Sequence, residues 1–227
     1  MSRLIFVLGE TGTGKSASLE NVDPESSFLI NCVGKDLPFR KWSEKWNSKK
    51  GNYHQTSTWA TGELRNPGII DTMKIINAKK PHVKNIIIDD FQYVMSFEYL
   101  NQLDGDVWEV FRGIGGHVFQ ILNTARNLRN DLNIFILSHS ETIITEGIQK
   151  TKIKTVGKMV DEKITPEGLA TIVLYTKVQA VPHGDNNHYF LTQNDGTNTA
   201  KSPKGMFENS QIPNDLNAVI EAINNYY

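Results

Sequence analysis

With Cys32 as the only cysteine among 227 residues, an internal disulfide is excluded, and a reducing cytoplasm is the expected setting. No apolar run approaches the ~18 residues of a membrane-spanning helix, so no membrane partner is expected. Charge of one sign is not in excess either: 24 Lys and Arg stand against 25 Asp and Glu. That balance excludes a wholesale polycation, and nucleic-acid contact would have to come from a local basic patch. The six histidines show no metal-ligand spacing with Cys32, and His183 and His188 flank a turn where a surface position is expected. Internal repeats and low-complexity tracts are missing. A secretory signal is not expected, because the short apolar run in "MSRLIFVLGE" leads straight into a glycine-rich loop. The length suits one α/β core, so residues 1–227 are read as a single domain.

That glycine-rich loop is the strongest positive signal. "GETGTGKS" follows the strand-like "LIFVL" and fits G-x-x-x-x-G-K-[ST], the phosphate-binding loop. Gly9, Gly12 and Gly14 let the chain turn sharply and leave no Cβ in the way of a phosphate. The expected nucleotide contacts are Gly9, Glu10, Thr11, Gly12, Thr13, Gly14, Lys15, Ser16 and Ala17. Lys15 would reach the β- and γ-phosphates, and the Ser16 hydroxyl would ligate Mg²⁺. A helix opening at Ser16 and running to Asn21 would add its N-terminal partial charge.

Short β-branched or aromatic runs predict strands over 4–8, 27–31, 85–89, 133–138, 171–176 and 188–193. Helical spacing predicts helices over 68–80 and 117–132 and in the closing "PNDLNAVIEAINNYY". Strands alternating with helices argue for a three-layer α/β fold with a mainly parallel sheet. The last third, with its turn-rich connections, reads as a C-terminal hairpin extension of that sheet. Residues 34–68 and 140–168 show no clear period; the second stretch is too long for a structureless core loop.

A phosphate loop needs a carboxylate at the end of a neighbouring strand, and "NIIIDD" supplies two. Asp89 is assigned to the metal. Asp90 is placed either as the base for an attacking water or as the cap of the helix "DFQYVMSFEYL". The strand "NIFILS" ends at Ser138 and His139, which would sense the γ-phosphate or serve as hydrogen-bonded edge residues.

With the phosphate loop, "IIIDD" and "LSHSE" in order, the chain resembles the phage-encoded, RecA-like P-loop ATPases of the Sak-type single-strand annealing and recombination proteins. "LPFRKW", "GKMVDEKITPEGLATIVLYT" and "LTQNDGTNTAKSPKGMF" extend the resemblance over roughly the whole chain. It implies a RecA-like P-loop NTPase core, ATP as the nucleotide, hydrolysis stimulated by DNA, and single-stranded DNA as the polymer partner. It further implies a homo-oligomer, ring or filament, working with a phage single-strand-binding protein or nuclease. RecA recombinases carry a catalytic glutamate just past the second core strand; here "FLINCVGKDLPFR" has none, leaving Asp36 and Asp90 as the candidate bases.

By the same resemblance, loops over 96–117 and 141–166 face the filament axis. The second holds Lys150, Lys152, Lys154 and Lys158 with no acid among them, which suits a phosphate backbone; flanking acids leave a solvated loop as the alternative. The first offers Arg112 among flexible glycines. Phe39, Trp42 and Trp46 alternate with cations, as base stacking would need, but their spacing favours a helix packing two tryptophans on the core. Lys201 and Lys204 in "AKSPKG" would complete a neighbour's site in trans, as such ATPases often do, or would be plain solvated lysines. Two other functions compete: a small nucleotide kinase, using Arg126 and Arg129 of "ARNLRN", and a nucleotide-dependent switch acting on a protein partner.

Overall fold

The computed structural model of the chain describes residues 1–145, 147–157, 160–182 and 184–227. In chain order its elements are β1 (Arg3–Gly9), β2 (Ser27–Asn31), α1 (Trp42–Lys45), β3 (Tyr53–Gln55), α2 (Ile69–Lys79), β4 (Asn85–Asp89), α3 (Gln92–Leu100) and α4 (Val107–Arg126). They continue with β5 (Asn133–Thr145), β6 (Ile148–Ile153), α5 (Pro166–Leu169), β7 (Ile172–Gln179), β8 (Asn187–Leu191), β9 (Gln211–Pro213) and α6 (Leu216–Tyr226).

The strands run in the order β3-β2-β4-β5-β1-β7-β8-β9, with β6 paired to the far end of β5. The six from β3 to β7 are parallel; β8 and β9 then return antiparallel, which is the hairpin extension expected from the sequence. Two strands, β4 and β5, place the "NIIIDD" and "LSHSE" tips beside the phosphate loop, because β5 separates β1 from β4.

Period-two alternation builds the three layers. Leu4, Phe6 and Leu8 of β1 pack with Met73, Ile76, Ile121 and Leu122 of α2 and α4, while Ile5 and Val7 face Leu19, Trp46, Val219 and Ile223. Because both faces are covered, the parallel strands read as continuous apolar runs. A polar rung pins their register. Arg3 donates to Asn133 at 3.3 Å, Asn133 to Asn85 at 3.1 Å, and Asn85 to Ser27 at 3.2 Å. A one-residue slip of any strand would leave these buried groups unpaired.

Several sequence expectations change. The helix expected from Ser16 to Asn21 is a 3₁₀ turn over Ala17–Leu19. Only a few residues separate Lys15 from Pro24 and the start of β2, and Leu19 and Val22 must turn into the core. The helix-dipole contribution expected there is therefore absent. "FRGIGGHVF" is not a flexible loop but the middle of α4, a 20-residue helix whose Asp106 side chain caps it by accepting from Glu109 N–H at 3.0 Å. β5 runs on to Thr145 and folds back through β6, so much of the aperiodic 140–168 stretch is an antiparallel ribbon. Trp46 is fully buried and Trp42 packs beside Tyr53, in keeping with tryptophans on the core.

Candidate phosphate-binding site

The loop after β1 is held from outside as much as from within. A Cβ at Gly9 would lie 1.9 Å from Thr176 Oγ1 of β7, so only glycine lets these strands close. Gly14, at φ +101°, takes a left-handed turn that a side chain would strain. Thr13 Oγ1 is 2.5 Å from Thr176 Oγ1, His188 Nδ1 is 3.0 Å from Thr13 O, and Asn214 donates to Gly14 O at 3.0 Å. The hairpin extension and the segment before α6 thus buttress the loop.

Lys15 curls back over the loop and donates to Gly9 O and Glu10 O, each at 2.8 Å. Burial pulls its ammonium down to about 8, against the raising charges of Asp90 and Asp89. A desolvated cation held only by carbonyl dipoles gains strongly from a phosphate oxygen.

Ser16 Oγ donates to Asp89 Oδ1 at 3.1 Å. Asp89 is fully buried and its Oδ2 has no hydrogen-bond partner among the described residues. Burial, then the neighbouring Asp90 charge, push its carboxyl up to about 6. A hydroxyl and a carboxylate with one unpaired oxygen fit Mg²⁺, a hard cation that takes few protein oxygens and fills its sphere with phosphate and water. No cluster of three or more His, Cys, Asp or Glu with metal-holding geometry occurs among the described residues, so this pair carries the fit.

Asp90 stands at φ +60°, a conformation costing a non-glycine residue about 1–2 kcal/mol. Its Oδ2 meets Lys35 Nζ at 2.5 Å, and its Oδ1 is 3.8 Å from His139 Nε2. Burial works to raise its carboxyl, but facing His139 and Lys35 outweigh that and hold it below the usual range. His139 lies opposite Gly9 in the β1–β5 register, with Nδ1 3.5 Å from Thr11 Oγ1.

These groups surround one cavity of about 290 Å³, lined by Thr11, Gly12, Gly14, Lys15, Ser16, Ala17, Lys35, Asp36, Pro38, Asp90, His139 and His188. At ~30 Å³ per water it has room for a polyphosphate chain. Of the Ser138–His139 pair, only His139 lines it; the Ser138 hydroxyl is buried with no hydrogen-bond partner among the described residues. Asp36 and Asp90 both line it. His188 is a correction: expected at the surface, it touches the loop, because β8 pairs with β7 and carries the histidine back over Thr13. His183 lies outside the described residues.

The expected DNA and neighbour contacts lie away from this cavity. Lys150 and Lys152 share one face of β6, Lys152 lying 3.7 Å from Glu141 across the ribbon, while Thr151 and Ile153 are buried on the other face. Lys154 follows, exposed. Lys158 lies outside the described residues. Arg112 is on α4, paired with Glu109 at 2.6 Å rather than in a loop. Lys201 is half-buried where its backbone bridges Val173, and Lys204 is exposed on the next turn. Arg129 is spent on the carbonyls of Ile76, Asn77, Lys80 and Val83, an anchor for the end of α2.

Lys35 and Asn214 belong to no motif, and Thr176 ends the "TIVLYT" strand run without a role assigned to it; only the lysine where a glutamate was sought, in "VGKD", marked one of them.

No protein-family model matches the chain, and no curated protein matches it. Among solved structures, similarity is found to the flagellar accessory protein FlaH from Methanocaldococcus jannaschii, at 15% identity and TM-score 0.45, over 92% of this chain and 83% of that one. The ATPase DotB of Legionella pneumophila is similar at 11% identity and TM-score 0.37, over 84% of this chain and 45% of DotB. The fold class stands on the strand order and the loop after β1. Among the described residues, no helix is long and apolar enough to cross a membrane.

Proposed function

We propose that the chain binds ATP with Mg²⁺ at the Gly9–Ala17 loop, hydrolyses it, and uses the cycle to assemble on single-stranded DNA for strand annealing or recombination. One observation carries the nucleotide reading: Lys15, Ser16, Asp90 and His139 line a single cavity, and the fully buried Asp89 accepts from the Ser16 hydroxyl. Phosphoryl transfer asks a protein mainly for positioning and charge neutralisation. Loop N–H groups and Lys15 would hold the phosphates, while Ser16 and Asp89 would hold Mg²⁺, which neutralises charge developing on the phosphates. Asp90 would accept the proton of the attacking water, with Asp36 as the alternative, and His139 would contact the terminal phosphate.

The DNA half is supported by the β6 lysines, a row of cations on one face of a ribbon. In an oligomer, a ring or filament, Lys201 and Lys204 would reach a neighbour's phosphates. A second reading, a nucleotide switch acting on a protein partner, is favoured by the exposed apolar corner Leu100, Leu103, Val107 and Trp108 between α3 and α4. ATPase rate and particle size, each with and without single-stranded DNA, separate the two. Faster turnover and larger particles on DNA support the first reading; slow turnover indifferent to DNA supports the switch.

A further inference from the structure

Lys35 stands on the turn after β2, and its backbone is fixed. Asn31, fully buried, accepts from Gly34 N–H at 2.7 Å and donates to Lys35 O at 2.8 Å, bracing the turn on both sides. The side chain is not fixed in the same way: it is 48% exposed and ends 2.5 Å from Asp90 Oδ2. The cavity therefore holds two lysines on different tethers. Lys15 rests on backbone carbonyls of the loop, whereas Lys35 rests on the Asp90 carboxylate after β4.

Lys15 and Lys35 stand against Asp89, Asp90 and the lining carboxylate of Asp36, so the cavity has no cation to spare when an anion enters. A phosphate chain adds negative charge beside Asp90, and repulsion there grows with each phosphate unless a cation intervenes. Lys35 is the cation at that carboxylate. Its stem is long enough to leave Asp90 for a phosphate oxygen without any backbone motion.

We propose that Lys35 is a specificity residue of this site: it moves from Asp90 onto the terminal phosphate, making the cavity prefer a nucleoside triphosphate over a diphosphate. This rests on the nucleotide-binding reading above. It assigns to the chain's own turn a phosphate-sensing cation that the site would otherwise have to borrow from a neighbouring copy.

The test compares affinities for a non-hydrolysable ATP analogue and for ADP, both with Mg²⁺, by titration of the full chain. Lys35→Met should weaken triphosphate binding roughly tenfold or more while changing diphosphate binding less than about twofold. Lys35→Arg should keep the preference. Because Lys35→Met strands a buried carboxylate, the double variant Lys35→Met/Asp90→Asn removes that charge as well. If Lys35 contacts the phosphate, the double variant still lacks the preference. If Lys35 is only a counter-ion for Asp90, the double variant regains it, and the proposal is overturned. An unchanged affinity ratio in Lys35→Met, or no triphosphate preference in the wild type, overturns it too while leaving the nucleotide site standing. Failure of the wild type to bind either nucleotide would instead remove the underlying reading.

Discussion

The phosphate cradle and two outer surfaces, the β6 ribbon and the α3–α4 corner, use their side chains in opposite ways. In the cradle, Lys15, Lys35, Asp89 and Asp90 all find partners inside the chain, and three of the four are nearly or fully buried. On the outer surfaces, Ile144 is 75% exposed, Trp108 66% and Ile148 64%, and Lys150 and Lys154 point outward. A closed set of charges can be assigned chemistry from one chain alone. An open array of cations and apolar groups acquires meaning only with whatever covers it. Substitutions in the cradle should therefore change turnover, and those on the outer surfaces should change association.

The largest effect is expected at Asp89. Asp89→Ala removes the carboxylate proposed to hold Mg²⁺, and Mg²⁺-dependent turnover should fall about a hundredfold or more. Asp90→Asn should keep nucleotide binding and slow hydrolysis. Steady-state ATPase assays check both, and an unchanged rate in Asp90→Asn would shift the base to Asp36.

On the β6 ribbon, joint replacement of Lys150, Lys152 and Lys154 by Ala should leave DNA-independent turnover alone and weaken single-stranded DNA binding. The slope of log affinity against log salt should become shallower by about two, from ~0.7 per lost phosphate contact. Fluorescence anisotropy across a salt series reads it; an unaltered slope would take β6 out of the DNA interface.

The smallest effects contrast two kinds of glycine. Added Cβ atoms at Gly113 and Gly116 on α4 meet nothing within 4 Å, so Ala at either should stabilise the chain by about 0.5–1 kcal/mol. Gly9→Ala, driven into Thr176, should lower the melting temperature instead. Thermal unfolding measures all three. Stabilisation at Gly113 and Gly116 accompanied by weaker DNA binding would show that the helix is kept loose for function.

What the sequence made legible follows the same divide. β1, β2 and β4 could be read because both faces are covered and their central residues are uniformly apolar. That Ser16 and Asp89 meet could be read because the loop fixes the spacing of Lys15 and Ser16 and the carboxylate stands at the end of a neighbouring strand. Lys35, His188 and Asn214 could not, since they come from the turn after β2, from β8 and from the segment before α6, which only the sheet order β2-β4-β5-β1-β7-β8-β9 gathers around the loop. The expected first helix gives way to a 3₁₀ turn over Ala17–Leu19, where Leu19 and Val22 both turn into the core. In α4, Gly113, Gly115 and Gly116 signalled a loop, but the apolar stripe Val110, Ile114, Val118 and Ile121 buried on the core prevails over propensity.

The central claim, that Lys15 is a desolvated cation waiting for phosphate, has a direct calorimetric signature. Its ammonium sits at about 8 in the free protein, pulled down by burial, and a bound phosphate would draw it back up. Sign and window follow: below pH 8 the lysine is already charged and binding takes up little, while at pH 8 about half a proton should be absorbed per nucleotide. Above that, affinity should fall as pH rises, because each binding event must first protonate the lysine. Titrating ATP analogue and Mg²⁺ at pH 8 in two buffers of different ionisation enthalpy measures the uptake. The account predicts uptake near half a proton in the wild type, with binding lost in Lys15→Ala. Wild-type affinity in Lys15→Ala, or binding without proton uptake, would contradict it.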